Sequence, residues 1–222
     1  MVIFTRFTQF TRFTLSRRHA IVRAMAILKI ARMGHPALMR IADPVVDPRA
    51  AEIGQLIADM IDTIADAAGA GLAAPQVHVP LRLVMFHVPA ARAREEDGDT
   101  GEGCPFTVLI NPEIDILGAD MAADSANDMA NDMADGLEAC LSLPGLAGMV
   151  PRYRHIRYRG LSHLGETIER EAHGFHARVV QHECDHLDGI LYPMRMDDLS
   201  TLTFTSELSR SETEEEQEET EL

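Results

Sequence analysis

The stretch Gln181-His182-Glu183-Cys184-Asp185-His186 places two histidines four residues apart, with a glutamate directly after the first. On a helix, positions i and i+4 lie one turn apart on one face, so both imidazoles can reach a single metal ion. Glu183 is rotated to the side, near enough to touch a water on that ion but poorly placed to be a third ligand. This HExxH spacing suits metal-assisted hydrolysis, with Glu183 as general base. A hydrolytic site of this kind takes three protein ligands and keeps one position open.

Two residues compete for the third ligand position. Glu207 follows His186 by 21 residues, a separation similar to that of thermolysin-like peptidases, but it runs into an acidic tail with no obvious helix around it. Cys140 sits in the compact segment Glu138-Ala139-Cys140-Leu141-Ser142, just before Pro144-Gly145. A metal would deprotonate its thiol, whereas a free cysteine is commonly only a small buried residue. Spacing alone leaves both open.

The elements that must carry these groups can be read from periodicity. Phe175, Val179, His182 and His186 recur at helical spacing, so a helix starting near Gly174 buries the side that faces the metal. Ile53, Leu56, Ile57, Met60, Ile61 and Ile64 mark an earlier amphipathic helix. Asp47 is its expected N-cap, Pro48 its first residue and Gly69 its stop. Residues 81–88, 106–111, 113–117, 150–159 and 166–173 read as strands. Residues 94–103 read as an acidic loop, and residues 118–136, which repeat Asn-Asp-Met-Ala, as an exposed low-complexity insertion. The expected fold class is α+β, with antiparallel β-sheets packed around a C-terminal metal-binding helix and an N-terminal helix beside them.

At 222 residues the chain can bury a substantial core, and one domain over about 25–200 is expected. Residues 1–24 are rich in Arg and hydroxyls and free of acids, as an organellar transit peptide is. A start placed upstream of Met25 explains them equally, and is preferred. Bacterial cytoplasm is accordingly expected, with a mitochondrion or other organelle as the alternative. Residues 201–222, ending SETEEEQEETEL, are expected to be a disordered acidic tail. A net charge of −15 and the absence of Trp argue against nucleic acid as a partner. No apolar run is long enough to cross a membrane. Cys104, Cys140 and Cys184, an odd number without regular spacing, suit a reducing compartment.

GAGLAAPQ (69–76), EACLS (138–142) and QHECDH (181–186), in this order, resemble the three signature motifs of peptide deformylases. The likeness runs from Met25 to Met196, with MGHP, INPEI, LPG, VPR and GFHARVVQHE between the motifs. It implies hydrolytic removal of the N-formyl group from the first methionine of new polypeptides. It also implies a metal held by Cys140, His182 and His186, with Glu183 as base and then acid. The Gln76 amide and the Leu141 backbone N–H would form the oxyanion hole. The implied substrate is an N-formylmethionyl peptide, met near the ribosomal exit, and the implied ion is Fe2+, with Zn2+, Ni2+ or Co2+ as substitutes. Gly69 and Gly71 would admit an extended substrate backbone, while Ala70 and Val179 would line the methionine pocket.

One residue departs from the family pattern. The second motif usually reads EGCLS, and this chain has Ala139. If that position needs a positive φ, alanine would cost about 1 kcal/mol and shift the strand carrying Cys140. If it only admits substrate, the methyl would narrow the groove. The other readings are an HExxH metallopeptidase using Glu207, and a deformylase-like protein weakened by Ala139. Asp185 is expected to support the site by pairing with an arginine such as Arg152. Cys184 is expected to face away from the metal, Cys104 to lie in the acidic loop, and His78, His87, His155, His163 and His176 to be surface or packing residues.

Overall fold

The apolar stripe at Ile53, Ile57, Met60 and Ile64 forms the buried side of α1 (Ala51–Ala67) in the computed structural model. The structure describes residues 26–93, 103–117 and 132–208. The extension over 1–24, most of the acidic loop and most of the insertion and tail lie outside the described residues. Helix α1 starts later than Pro48. Asp47 instead closes a turn, accepting from the Arg49 N–H at 2.9 Å, and Ala50 precedes the helix without a side-chain cap. The stop also differs: Ala68, not Gly69, takes the left-handed conformation at φ 52°, which costs an L-residue roughly 1–2 kcal/mol.

The strands, in chain order, are β1 (Gly71–Ala73), β2 (Leu83–Val88), β3 (Cys104–Ile116), β4 (Met133–Ala139), β5 (Leu146–Tyr153), β6 (His155–Leu161), β7 (Thr167–His173) and β8 (Thr203–Phe204). A short helix α2 (Ala90–Ala93) follows β2, and α3 (Gly174–Leu187) follows β7. One sheet runs β1-β2-β3-β6-β7 and the other β4-β5-β8, with every pairing between these strands antiparallel.

Several expected boundaries change, each for a reason of pairing. The two strands expected on either side of Pro112 are one continuous β3. Asn111 sits at φ 51°, and the register with β6 shifts between Ile110 and Glu113, so the Asn-Pro pair makes a bulge, not a break. The Asn111 side chain also holds the Val45 N–H and C=O, both at 2.9 Å. Conversely, the single strand expected over 150–159 is two strands in different sheets. Arg154 marks the switch: its N–H donates to Asp132 O at 2.9 Å and its carbonyl accepts from Gly174 at 3.0 Å. The insertion stops short of 136, because Met133–Gly136 belong to β4 and pair with β5 from Tyr153 to Val150. Part of the expected disordered tail is likewise ordered, since Thr203 and Phe204 pair with Ala147 and Leu146 of β5.

The layers follow from alternation along β2. Leu83 and Met85 join the apolar cluster under α1, while Val84, Phe86 and Val88 join the one under α3. At β2 the five-stranded sheet is therefore buried on both faces, whereas β6 and β7 keep one face charged and exposed through Arg157, Arg159, Glu169 and Glu171. Helix α3 in turn lies between the two sheets: Ala177, Val180, Cys184 and Leu187 pack on the larger sheet, and Arg178 and Gln181 hydrogen-bond Val150 and Tyr153 of the smaller. All of α3 except Phe175 and His182 is buried, more than the single buried face its periodicity predicts.

Candidate metal centre

Strand β4 presents alternate residues inward, and its end sets the first ligand. Glu138 and Cys140 are buried, at 5% and 8% exposed, while Ala139 between them points out to solvent. Ala139 pairs with Ala147 and its backbone lies outside the left-handed region. The strain expected if that position needed a positive φ therefore does not arise.

Cys140 Sγ and one ring nitrogen from each of His182 and His186 lie within 4.8 Å of one another. Cys140 Sγ is 3.3 Å from His186 Nε2. Tetrahedral coordination at about 2.0–2.3 Å sets ligand atoms about 3.3–3.7 Å apart, so one thiolate and two imidazoles here fit a zinc- or iron-type ion. Glu207 is not part of this group. It is exposed, in a helical turn beside β8, and accepts from the Ser206 hydroxyl at 3.3 Å. The acidic, polar local sequence keeps it at the surface, which removes the reading in which it is the third ligand.

His182 is oriented by a group that the sequence reading did not single out. Its Nδ1 meets Glu138 Oε2 at 2.8 Å, leaving Nε2 for a metal. Glu138 itself accepts from Arg152 twice, at 2.8 and 3.0 Å, and from Arg178 at 3.2 Å. Arg152 also reaches Asp185 at 2.6 Å, as expected, and Arg195 clamps the same carboxylate at 2.8 and 3.2 Å. Arg178 donates on to Val150 O at 2.7 Å and Ala134 O at 2.9 Å. A Cβ on Gly136 would strike this guanidinium. Glu138 was legible in principle, since two residues before Cys140 on a strand is the same face. Arg195 carried no such signal.

The electrostatics favour a cation. Burial would raise Glu138, but hydrogen bonds from His182 and Arg152 override it and hold the carboxyl at about 2. Burial opposes charge on His182, yet its contacts with Cys140 and Glu138 outweigh this and raise its pKa. The negative field that favours a proton there equally favours a divalent ion. His186 is held neutral by burial and by the neighbouring His182 and Arg152 charges, the form that ligates metal.

Glu183 lies beside the ligands with no ion-pair partner among the described residues. It is 5% exposed, and its Oε2 is buried without a hydrogen-bond partner among the described residues. Burial, with a smaller push from Glu138, raises its pKa to about 7. Its carboxylate packs on Gly71, where a Cβ would strike it.

Gln76, in the tight turn Ala74–Val77, is 2% exposed. Its Oε1 accepts from the Ala73 N–H at 2.8 Å, which turns Nε2 toward Cys140 Sγ at 3.5 Å and Ser142 Oγ at 3.2 Å. The Leu141 N–H has no acceptor among the described residues. Gly69 lies against the Leu141 side chain. Ala70 is half-buried with its carbonyl tied to His87 at 2.9 Å. Val179 is 7% exposed on α3, one turn before Glu183. Cys184 packs in the core with its thiol pKa pushed well up by burial. Cys104 opens β3, not the loop, and is buried near Thr107, Tyr158 and Arg170.

Residues 27–201 match the Polypeptide deformylase family. A peptide deformylase 2 of Bordetella bronchiseptica is 49% identical over 179 residues, 81% of this chain and 93% of that protein. A peptide deformylase 2 of Ralstonia nicotianae is 48% identical over 81% of this chain and 92% of its own length. Among solved structures, the Met-Ala-Ser-bound class I type b peptide deformylase of Acinetobacter baumannii aligns at TM-score 0.63 with 31% identity, covering 78% of this chain and all of that one. The peptide deformylase of Ehrlichia chaffeensis aligns at TM-score 0.67 with 25% identity, covering 86% of this chain and 97% of its own. With sequence motifs, fold and relatives in agreement, the chain belongs to the peptide deformylase family, metal-dependent hydrolases that remove formyl groups.

Proposed function

We propose that this chain hydrolyses the N-formyl group from the N-terminal methionine of new polypeptides at a metal held by Cys140, His182 and His186. The observation that carries this assignment is the convergence of those three ligand atoms within 4.8 Å, beside a buried Glu183 oxygen with no hydrogen-bond partner among the described residues. When bound, the metal polarises water and the formyl oxygen as a Lewis acid.

The chain's own residues do the rest. Glu183 accepts the proton of the attacking water, a task suited to a carboxylate whose pKa lies near neutrality. The Gln76 Nε2–H and the Leu141 N–H stabilise negative charge developing on the formyl oxygen, and each donor of this kind is worth about 3–4 kcal/mol. Glu183 then delivers its proton to the leaving amine, releasing formate and a free methionine amino group. Glu138 keeps the His182 ring in register, and Arg152 and Arg178 keep Glu138 in place. Gly69 and Gly71 admit the extended peptide backbone, and Ala70 with Val179 lines the methionine pocket. The relative with Met-Ala-Ser bound supports a three-residue peptide as a sufficient probe.

Iron is typical of the family, which supports Fe2+ here. One thiolate and two imidazoles do not by themselves exclude Zn2+, Ni2+ or Co2+. Bacterial relatives support a cytoplasmic setting, and nascent chains as substrate support work near the ribosomal exit.

Formate release from formyl-Met-Ala-Ser by anaerobically purified protein tests the assignment. Robust release that vanishes in Glu183→Gln, with metal content unchanged, is expected. Release no greater than that of Glu183→Gln would overturn it. Elemental analysis of Cys140→Ala and Glu207→Ala tests the ligand set: metal should be lost only in the first.

A further inference from the structure

A second group of metal-ligating side chains lies away from the buried centre, where β6 and β7 pair. His155 and His173 stand directly opposite in the ladder, and their rings stack with centroids 3.8 Å apart at 20°. Glu171 lies two residues before His173 on the same face of β7. Its Oε2 is 3.3 Å from His155 Nε2. One ligand atom from each of the three residues lies within 4.8 Å of the other two.

We propose that His155, Glu171 and His173 form a second divalent transition-metal site, distinct in ligand chemistry from the buried centre. Two imidazoles and a carboxylate suit Zn2+, Ni2+ or Cu2+, and hard ions such as Mg2+ or Ca2+ are not expected. The His155–Glu171 separation already matches the roughly 3.4 Å between ligand atoms around such an ion. The stacked rings must splay to aim both lone pairs at one point. Both histidines are only half-buried and Glu171 is exposed, so side-chain rotation suffices. Arg157 donates to Glu171 Oε1 at 2.8 Å, which fixes the carboxylate while leaving Oε2 toward the histidines.

Two features limit the affinity. Arg157 places a positive charge nearby, and His173 precedes the first turn of α3, where the helix dipole disfavours a cation. The site should therefore fill after the buried centre. Once filled, it ties β6 to the start of the helix that carries His182 and His186.

The test uses untagged full-length protein whose buried centre is already loaded with Ni2+. Equilibrium dialysis against Zn2+ should add a second equivalent. Cu2+ bound there should give an electron-paramagnetic-resonance signal with nitrogen hyperfine coupling and no thiolate charge-transfer band. His155→Ala and Glu171→Gln should each weaken the second equivalent about tenfold or more, with the first equivalent, circular dichroism and formate release unchanged. Two substitutions on separate strands guard against a fold defect in either one. A wild-type protein that takes up only one equivalent would overturn the proposal, as would a second equivalent retained in both variants.

Discussion

Replacing Gly71 with alanine asks whether Glu183 acts from the position in which it is found. A Cβ there would lie 2.5 Å from Glu183 Cδ and 2.7 Å from Cγ, whereas ordinary contact begins at 3.4 Å. Glu183 sits on a helix wedged between two sheets, so the side chain, not the backbone, must yield, by about 1 Å. Misplacing a reacting group by that distance costs on the order of 10²-fold in rate, equivalent to roughly 2.7 kcal/mol of barrier. Gly71 is not in the left-handed region, so alanine adds no backbone strain, and the stability loss should be the roughly 1–3 kcal/mol of overpacking. Gly54→Ala is the control. Gly54 is exposed on α1 and a Cβ there would meet nothing within 4 Å, so activity should change less than about threefold. The assay is kcat/KM for formate release at verified metal occupancy, alongside a thermal melt. Gly71→Ala retaining near wild-type kcat/KM, or Gly54→Ala losing as much, would refute the reasoning.

Further outcomes follow from the same geometry. Glu138→Gln leaves two buried guanidiniums short of a charge, so stability should fall by about 3–5 kcal/mol, read by urea unfolding. Metal affinity in that variant should drop about 10–100-fold in chelator competition. Ala139→Gly should change kcat/KM less than about threefold, because Ala139 is exposed on an extended strand; a large gain would show that the methyl blocks substrate. In metal-free protein Glu183 titrates near 7 against an ordinary 4.5, so between those values the native state keeps a proton that the unfolded chain has lost. Its stability therefore falls as pH rises through that window and levels off above it. Glu183→Gln removes the fall, so its melting advantage over wild type should grow across the window and then stay constant. A pH-independent gap would contradict the burial argument.

Local patterns in the sequence located the catalytic helix, α1 and most strands, because helical spacing and apolar runs record which residues are buried. They did not reveal which strand pairs with which. Tyr153 and His155 look alike in a row of alternating apolar and basic residues, yet the chain passes from one sheet to the other between them. Met133–Gly136 read as low complexity because a strand can be held by the backbone pairing of its neighbour, here β5, with little help from its own side chains. The site divided along the same line. Cys140, His182, Glu183 and His186 stood out by type and spacing, and Asp185–Arg152 by charge. Arg178 reads as an ordinary helix cation until β4 and β5 bring their carbonyls and Glu138 to it. The concern over Ala139 was a question of backbone angle, which only the strand's conformation could answer.

The passage from β5 to β6 at Arg154 also bears on the order in which the molecule can assemble. Gln76 meets Cys140 across 64 residues, and Cys140 meets His186 across 46, so the centre closes only when both sheets have docked on α3. Closing such loops costs entropy that grows slowly with length, and the delay is one of sequence: α3 leaves the ribosome late, after β1 through β7. The enzyme thus gains its full ligand set only after the strands β1 through β7 have been made. An ion seated there would clasp the end of β4 to α3, and the unfolding rate of loaded protein should follow how fast that clasp is released.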